Sequence, residues 1–302
     1  MKVLKFGGTS VGSAERMREV AKLITDGEQK IVVLSAMSGT TNTLVEISDY
    51  LYKKNPEGAN EIINKLEAKY KQHVQELYAT SEYRKKGEEL IKSHFDYMRS
   101  FTKDLFTLFE EKVILAQGEL ISTAMMNYYL QECEISSVLL PALEFMRTDK
   151  NSEPDPVYIK DKLAMQLELQ PKADIYITQG YICRNAYGEI DNLQRGGSDY
   201  TASLIGAAIN ASEIQIWTDI DGMHNNDPRI VDHTSPVRHL HFEEAAELAY
   251  FGAKILHPTC VQPAKYANIP VRLLNTMDPT APGTLISNDT EKGKIKAVAA
   301  KD

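Results

Sequence analysis

Lys5, in "LKFGGTSV" (residues 4–11), stands two residues before the first of a pair of glycines. Gly7 and Gly8 follow an apolar run, so a strand must break there into a turn. Glycine lets backbone N–H groups come close to an anion, and the positive N-terminal end of a following helix acts at the same place. Lys5 projects into that space from the sheet side. The order differs from the phosphate loop G-x-x-x-x-G-K-[ST], in which lysine follows the glycines. It also differs from G-x-G-x-x-G, since Thr9 stands where the second glycine belongs, which disfavours a dinucleotide fold. Alone, "KFGGTS" also describes a plain strand–turn–helix with a solvated lysine.

A second element repeats the arrangement. In "LQRGGSDYTA" (Leu193–Ala202) two glycines precede a helical pattern, with Ser198 as the expected N-cap and Asp199 in the first turn. Arg195 can hold a carboxylate or phosphate bidentately. One such turn is a capped helix; two, each with a cation just upstream, suit a reaction joining two anions. In "IWTDIDGMHNNDPRIV" (Ile216–Val231) a strand ends at Thr218 and Asp219, and strand carboxyl ends are where open α/β sheets bind ligands. Asp219 and Asp221 could hold magnesium or ribose, although D-x-D-G is more commonly turn chemistry. The EF-hand pattern fails for want of its later glutamate.

Three further stretches carry polar groups. Lys254, in "ELAYFGAKILHP", falls in the last turn of a helix or just past it, where lysine ordinarily supplies a C-terminal charge. Glu119, in "AQGELISTAMM", is expected at the start of an apolar helix, the place of a dipole partner. "VLSAMSGTTN" sets Ser35 and Ser38 at a strand's carboxyl end, suited to orienting a small polar substrate, and lacks the G-x-S-x-G elbow of hydrolases. The histidines show no triad or zinc spacing, and His239 and His241 share a strand face without a third ligand.

Composition narrows the classes. The chain has 302 residues, 43% apolar and 25% charged, with a net charge of −8. This is ordinary for a soluble globular protein, and long enough for one large α/β domain or two smaller ones. The negative balance argues against the basic face of a nucleic-acid partner. Cys133, Cys183 and Cys260 read as reduced, buried, small side chains. No apolar run approaches the ~20 residues of a membrane helix, and no secretory signal precedes Lys2, so the expected location is cytoplasmic, with no membrane partner.

Elements must position these residues. Apolar runs of strand length recur at Val3–Phe6, Ile31–Ser35, Ser137–Leu140, Ile175–Thr178, Ile214–Thr218 and Val271–Leu274. Between most of them lie helical stripes. One is Met17, Val20, Ala21 and Ile24 after Ser13 as N-cap; others are Ala202, Leu204, Ile205 and Ala208, and Ala245, Leu248, Ala249 and Gly252. The alternation implies an α/β fold with a mostly parallel sheet covered on both faces. "RNAYGEI" (Arg184–Ile190) reads as a hairpin turn, making part of the sheet antiparallel. Residues 58–112 form an all-helical excursion. Its packing faces are Ile62, Leu66, Tyr70, Val74 and Leu77, then Met98, Phe101, Leu105 and Leu108.

Taken in order, "KFGGTSV", "VVLSAMSGTTN", "GELIS", "RGGSDYTA", "WTDIDG…DPR", "FGAKILHP" and "PGTLIS" resemble the catalytic domain of the aspartate kinases, over nearly the whole chain. The resemblance implies a three-layer α/β/α amino-acid-kinase (carbamate-kinase-like) fold with a mostly parallel open sheet and a helical insertion. It implies a catalytic domain at 1–290. Residues 291–302 then open a C-terminal ACT regulatory region, to which homoserine dehydrogenase is fused in some members. The implied reaction moves the γ-phosphoryl group of MgATP to the β-carboxylate of L-aspartate, the first step of lysine, threonine and methionine biosynthesis.

By the same resemblance, Lys5, Gly7 and Gly8 meet the transferring phosphoryl group and Asp199 organises the catalytic lysines. Arg195 pairs with the aspartate α-carboxylate and Glu119 with its α-ammonium, while Ser35, Thr41 and Ser198 line the substrate side. Lys5, Gly8, Thr218, Asp219, His224, Arg229, Lys254 and Ile255 hold ATP. Mg²⁺ is carried mainly by the nucleotide, with no protein ligand assigned. His224 stands where the family usually has tyrosine, and Gln194 where glycine is common. Exposed helices at 58–112 or near 245–260 leave room for a homodimer. The alternatives are a kinase of this fold with glutamate, acetylglutamate, carbamate or UMP as acceptor, and a non-catalytic amino-acid or nucleotide sensor. Glu119 with Arg195 matches a free α-amino acid, and Lys5 and Asp199, which a sensor would lose, are both in place.

Overall fold

Alternate residues of the same strands feed two separate cores. In β2 (Lys30–Leu34), Ile31 and Val33 join one core while Val32 and Leu34 join the other. β2 and β4 (Ile175–Gln179) bury every side chain, as strands covered on both faces must. The computed structural model describes residues 1–103, 105–193, 196–226, 231, 233–251, 256–289 and 296–297.

Among the described residues the main sheet runs β3-β4-β2-β1-β7-β9-β10-β8. Here β1 is Lys2–Phe6, β3 Ser137–Leu140, β7 Ile214–Thr218, β8 His239–His241, β9 Val271–Asn275 and β10 Thr284–Ser287. Every neighbouring pair is parallel except β9 with β10. Parallel strands need crossovers, and helices supply them. One face is covered by α1 (Ala14–Ile24), α2 (Thr40–Tyr52), α3 (Pro56–Leu77), α4 (Ser81–Ser100) and much of α5 (Leu108–Glu132). The other is covered by α6 (Pro156–Leu169), α7 (Gly197–Ile209), α8 (Phe242–Phe251) and the short α9 (Gln262–Tyr266). The expected three-layer α/β/α fold with a helical insertion is therefore what forms.

Several local expectations need correction. The hairpin of β5 (Ile182–Arg184) and β6 (Ile190–Asn192) is a separate two-stranded sheet. In α3 the buried stripe uses Ala59 and Ile63 with Leu66, Tyr70, Val74 and Leu77, and Ile62 is only half-buried. The second stripe does not continue through Leu108. α4 ends at Ser100, a 3-10 turn follows at Phe101–Lys103, and Leu105 is 83% exposed.

The chain restarts at Thr107 through a capping box. The Thr107 hydroxyl accepts from Phe109 N–H at 3.2 Å, and the Thr107 N–H donates to Glu110 at 2.8 Å. That start places Glu119 in the middle of a 25-residue helix, not in its first turn. The helix is buried on nearly every side around Glu119, the mark of a core helix. Cys183 and Cys260 are buried, but Cys133, just past α5, is exposed. No helix among the described residues is long and apolar enough to cross a membrane.

Phe95 of α4 is fully buried against Tyr70 of α3, with ring centroids 5.9 Å apart. Phe95→Ala is expected to cost about 3–5 kcal/mol. Urea denaturation checks this, and a loss under 1 kcal/mol would show that the insertion does not share the main core's stability.

Candidate active site

The carboxyl ends of β4, β2, β1 and β7 lie side by side, and the candidate residues Lys5, Ser35 and Thr218 stand at them. Side chains alternate along a strand, so Lys5 shares the face of Val3 and points toward the α7 layer. Its ammonium meets Asp199 Oδ1 in the first turn of α7 at 2.7 Å, with the two side chains only 13% and 16% exposed. Phe6 points to the opposite core and stacks on Trp217 of β7 at 5.6 Å, fixing β1 against its neighbour.

Beyond Phe6 the glycine turn closes with Ser10 N–H donating to Gly7 O at 3.0 Å. Lys5 Nζ lies 3.5 Å from where a Gly7 side chain would begin. Gly8 is needed for close approach: a Cβ there would lie 2.8 Å from Ala36 O. Ser38 N–H donates to Gly8 O at 3.1 Å, so the loops after β1 and β2 are tied by backbone. Gly196, with φ of +68° and its missing Cβ replaced in space by Cys260 Sγ, caps α7 in a conformation that favours glycine. Ser198 is therefore inside the helix, not its N-cap. Ser35 Oγ donates to Ser198 Oγ at 2.8 Å.

Between these loops opens a cavity of about 470 Å³, lined by Gly8, Ser35, Thr41, Glu119, Tyr181 and Ser198 among others. Glu119 is 3% exposed. One carboxylate oxygen accepts Ala36 N–H at 3.1 Å, and the other, Oε2, has no hydrogen-bond partner among the described residues. Burial pushes its pKa up to about 7, against the opposing pull of the Ala36 N–H. An ammonium group in the cavity would satisfy the unpartnered oxygen and draw the carboxyl back to its charged form. Tyr181 is the lining residue that the sequence reading missed. Its φ is +69° and its N–H donates to Thr201 Oγ1 at 3.0 Å, and only the preceding Gly180 hinted at a special backbone.

Thr218, at the end of β7, accepts Ile220 N–H on its hydroxyl at 3.1 Å and Thr276 N–H on its carbonyl at 2.7 Å. The Thr276 hydroxyl shares a buried 2.8 Å hydrogen bond with Ser10, which sets the glycine turn in register with Thr218. Asp219 is exposed. Asp221 is already engaged within the protein: Arg238 holds it at 3.0 Å and Gly283 N–H donates to it at 3.0 Å. His224 Nδ1 bonds Thr234 Oγ1 at 2.8 Å. Gln194, Arg195, Arg229, Lys254 and Ile255 lie outside the described residues. No group of three or more His, Cys, Asp or Glu among the described residues could hold a metal ion.

The sequence profile of the amino acid kinase family matches residues 1–275. Lysine-sensitive aspartokinase 3 of Escherichia coli is 34% identical over 96% of this chain and 64% of its own length. Chloroplastic aspartokinase 2 of Arabidopsis thaliana is 35% identical over 99% of this chain and 57% of its own. The chain thus spans about three-fifths of the length of these relatives. The crystal structure of E. coli aspartokinase III in complex with aspartate and ADP superposes with a TM-score of 0.87 at 33% identity, covering 97% of this chain and 65% of that one.

Glu119 also sets a pH dependence of stability. An ordinary carboxyl ionises near 4.5 in the unfolded chain, whereas the folded one ionises near 7. The folded state therefore loses stability as pH rises between those values, by on the order of 3 kcal/mol. Glu119→Gln is expected to raise the melting temperature by several degrees at pH 8 and to leave it nearly unchanged at pH 4. Calorimetry at both pH values checks this; an equal shift at both would contradict it.

Proposed function

The chain belongs to the amino acid kinase family, and on that premise we propose that it transfers the γ-phosphoryl group of MgATP to the β-carboxylate of L-aspartate, giving ADP and 4-phospho-L-aspartate. The observation that carries this reading is the Lys5–Asp199 pair at a glycine turn, beside a cavity containing a buried, half-partnered Glu119. The solved relative, with aspartate and ADP bound, supports aspartate as acceptor and an adenine nucleotide as its partner.

The chemistry asks little of a general base. A β-carboxylate is ionised at pH 7, with an ordinary pKa near 4, so one of its oxygens attacks phosphorus directly. The new O–P bond forms as the bond to the β,γ-bridging oxygen breaks, and ADP leaves with that electron pair. The barrier is largely repulsion between two anions, so catalysis is positioning and charge neutralisation. Lys5 and the backbone N–H groups of Gly7 and Gly8 take the phosphoryl oxygens. Asp199 orients Lys5, Glu119 binds the α-ammonium, and Ser35, Thr41 and Ser198 line the acceptor side. Thr218, Asp219 and His224 face the nucleotide. Arg195 on the α-carboxylate, and Arg229, Lys254 and Ile255 on the nucleotide, keep the roles given by the resemblance. Magnesium enters as MgATP. It would supply charge neutralisation on the phosphates, and no residue of this chain is assigned to it as a ligand.

We further propose residues 1–290 as the catalytic unit, 291–302 as the approach to an ACT-type regulatory region, a cytoplasmic location, and pairing of two copies through exposed helices.

Hydroxamate trapping of the acyl phosphate, with ADP release, tests the reaction. Product is expected from L-aspartate and not from L-glutamate or N-acetylglutamate, and Lys5→Ala should lower kcat by about 10³-fold or more. Product from either other acceptor, or a fully active Lys5→Ala, would overturn the reading. The KM for L-aspartate should also rise as pH falls below about 7, where Glu119 takes up a proton; a flat profile from pH 8 to 5.5 would remove Glu119 from ammonium binding.

A further inference from the structure

Behind the acceptor cavity two buried hydroxyls meet. Thr40 begins α2, and its Oγ1 shares a 2.9 Å hydrogen bond with the hydroxyl of Tyr70, which lies in α3 of the helical insertion. Both side chains are 1% exposed. The neighbouring Lys69 donates to Ser38 O at 3.2 Å. α2 itself lacks the usual local anchor: Gly39 caps it at φ +81° with no side-chain hydrogen bond, where Ser, Thr, Asp or Asn would normally hold the first turn.

On the opposite side α5 presses on the same loop. A Cβ at Gly118 would lie 2.7 Å from Ala36 Cβ and 3.3 Å from Thr40 Cγ2, and Glu119 accepts Ala36 N–H. The stretch from Ala36 to Thr41 is therefore clamped between α5, which carries Glu119, and α3, which carries Tyr70. Ser38, Gly39 and Thr41 of that stretch line the cavity.

We propose that Tyr70 is a positioning residue for the acceptor: by holding Thr40 it fixes the first turn of α2, and with it the distance of Thr41 and Ser38 from Glu119. This rests on the acceptor assignment made above. A phenylalanine would fill the same volume, so packing does not require the hydroxyl. What the hydroxyl adds is direction, because a hydrogen bond constrains angle as well as distance whereas apolar contacts permit sliding. The insertion thus helps define the acceptor pocket without touching the acceptor.

Two variants separate positioning from stability. Tyr70→Phe leaves the Thr40 hydroxyl buried without its partner, whereas Tyr70→Phe with Thr40→Val removes both hydroxyls and leaves none unsatisfied. The melting temperature is expected to fall in the single variant and recover in the double. The KM for L-aspartate is expected to rise about five- to tenfold in both, with KM for MgATP within about twofold of the parent. A double variant that recovers KM along with stability, or a single variant with unchanged KM, would overturn the proposal and leave the pair a structural contact. If Tyr70→Phe does not fold, the double variant alone decides. The parent protein run alongside keeps the two readings apart, since absence of hydroxamate from it with L-aspartate brings down the acceptor assignment itself.

Discussion

An ammonium group held at the centre of four strand ends is the constraint on which the rest of the site depends. Lys5 stands on β1, flanked by β2 and β7, and its partner Asp199 comes from the first turn of α7 on one face of the sheet. Withdrawing both charges from water is costly, and removing one partner would leave the other uncompensated. The pair is tolerable because the ammonium has three donors and Asp199 takes part of that capacity, leaving the remainder for an incoming anion. Around it the chain is tied together by backbone. Gly8 touches the loop after β2, and the Ser10–Thr276 hydroxyl pair sets the glycine turn against β7.

The two sides of the site follow opposite electrostatic rules. On the phosphoryl side, donors converge and the carboxylate of Asp199 is already matched to a cation. On the proposed acceptor side, Glu119 is buried with one oxygen unmatched among the described residues, a state that disfavours its own charge in the absence of a cation. An acceptor bearing an ammonium resolves that tension, and an uncharged or acylated amine does not. Under the proposed function, charge would turn away carboxylic acids without an ammonium, and the size of the cavity would separate L-aspartate from L-glutamate.

Much of this was legible in the sequence. Strand-length apolar runs marked β1, β2, β3, β4, β7 and β9 to within a residue or two, most clearly β2 and β4, which are buried on both faces. The glycine pairs marked the turn after β1 and the start of α7. Glu119 was placed on the right element but at the wrong end of it. The capping box at Thr107 and Glu110 is written in "TLFE" and places the helix start at Leu108, eleven residues before Glu119. Serine is a usual helix cap, yet Ser198 lies inside α7, because Gly196 at φ +68° caps it. Asp221, in a D-x-D-G stretch that is usually turn chemistry, pairs with Arg238 seventeen residues away, a contact that no local pattern encodes. Tyr181 and the Tyr70–Thr40 contact arise from long-range packing, and no local periodicity encodes them.

If Asp199 holds Lys5 at the proposed site of phosphoryl transfer, replacing it with asparagine must slow the reaction. This change keeps the shape and removes the charge. Steady-state kinetics with MgATP and L-aspartate should then show kcat reduced by about 10²-fold or more, with both KM values changed only a few-fold and the fold intact by circular dichroism. An Asp199→Asn protein that folds normally and turns over at the parent rate would contradict the account.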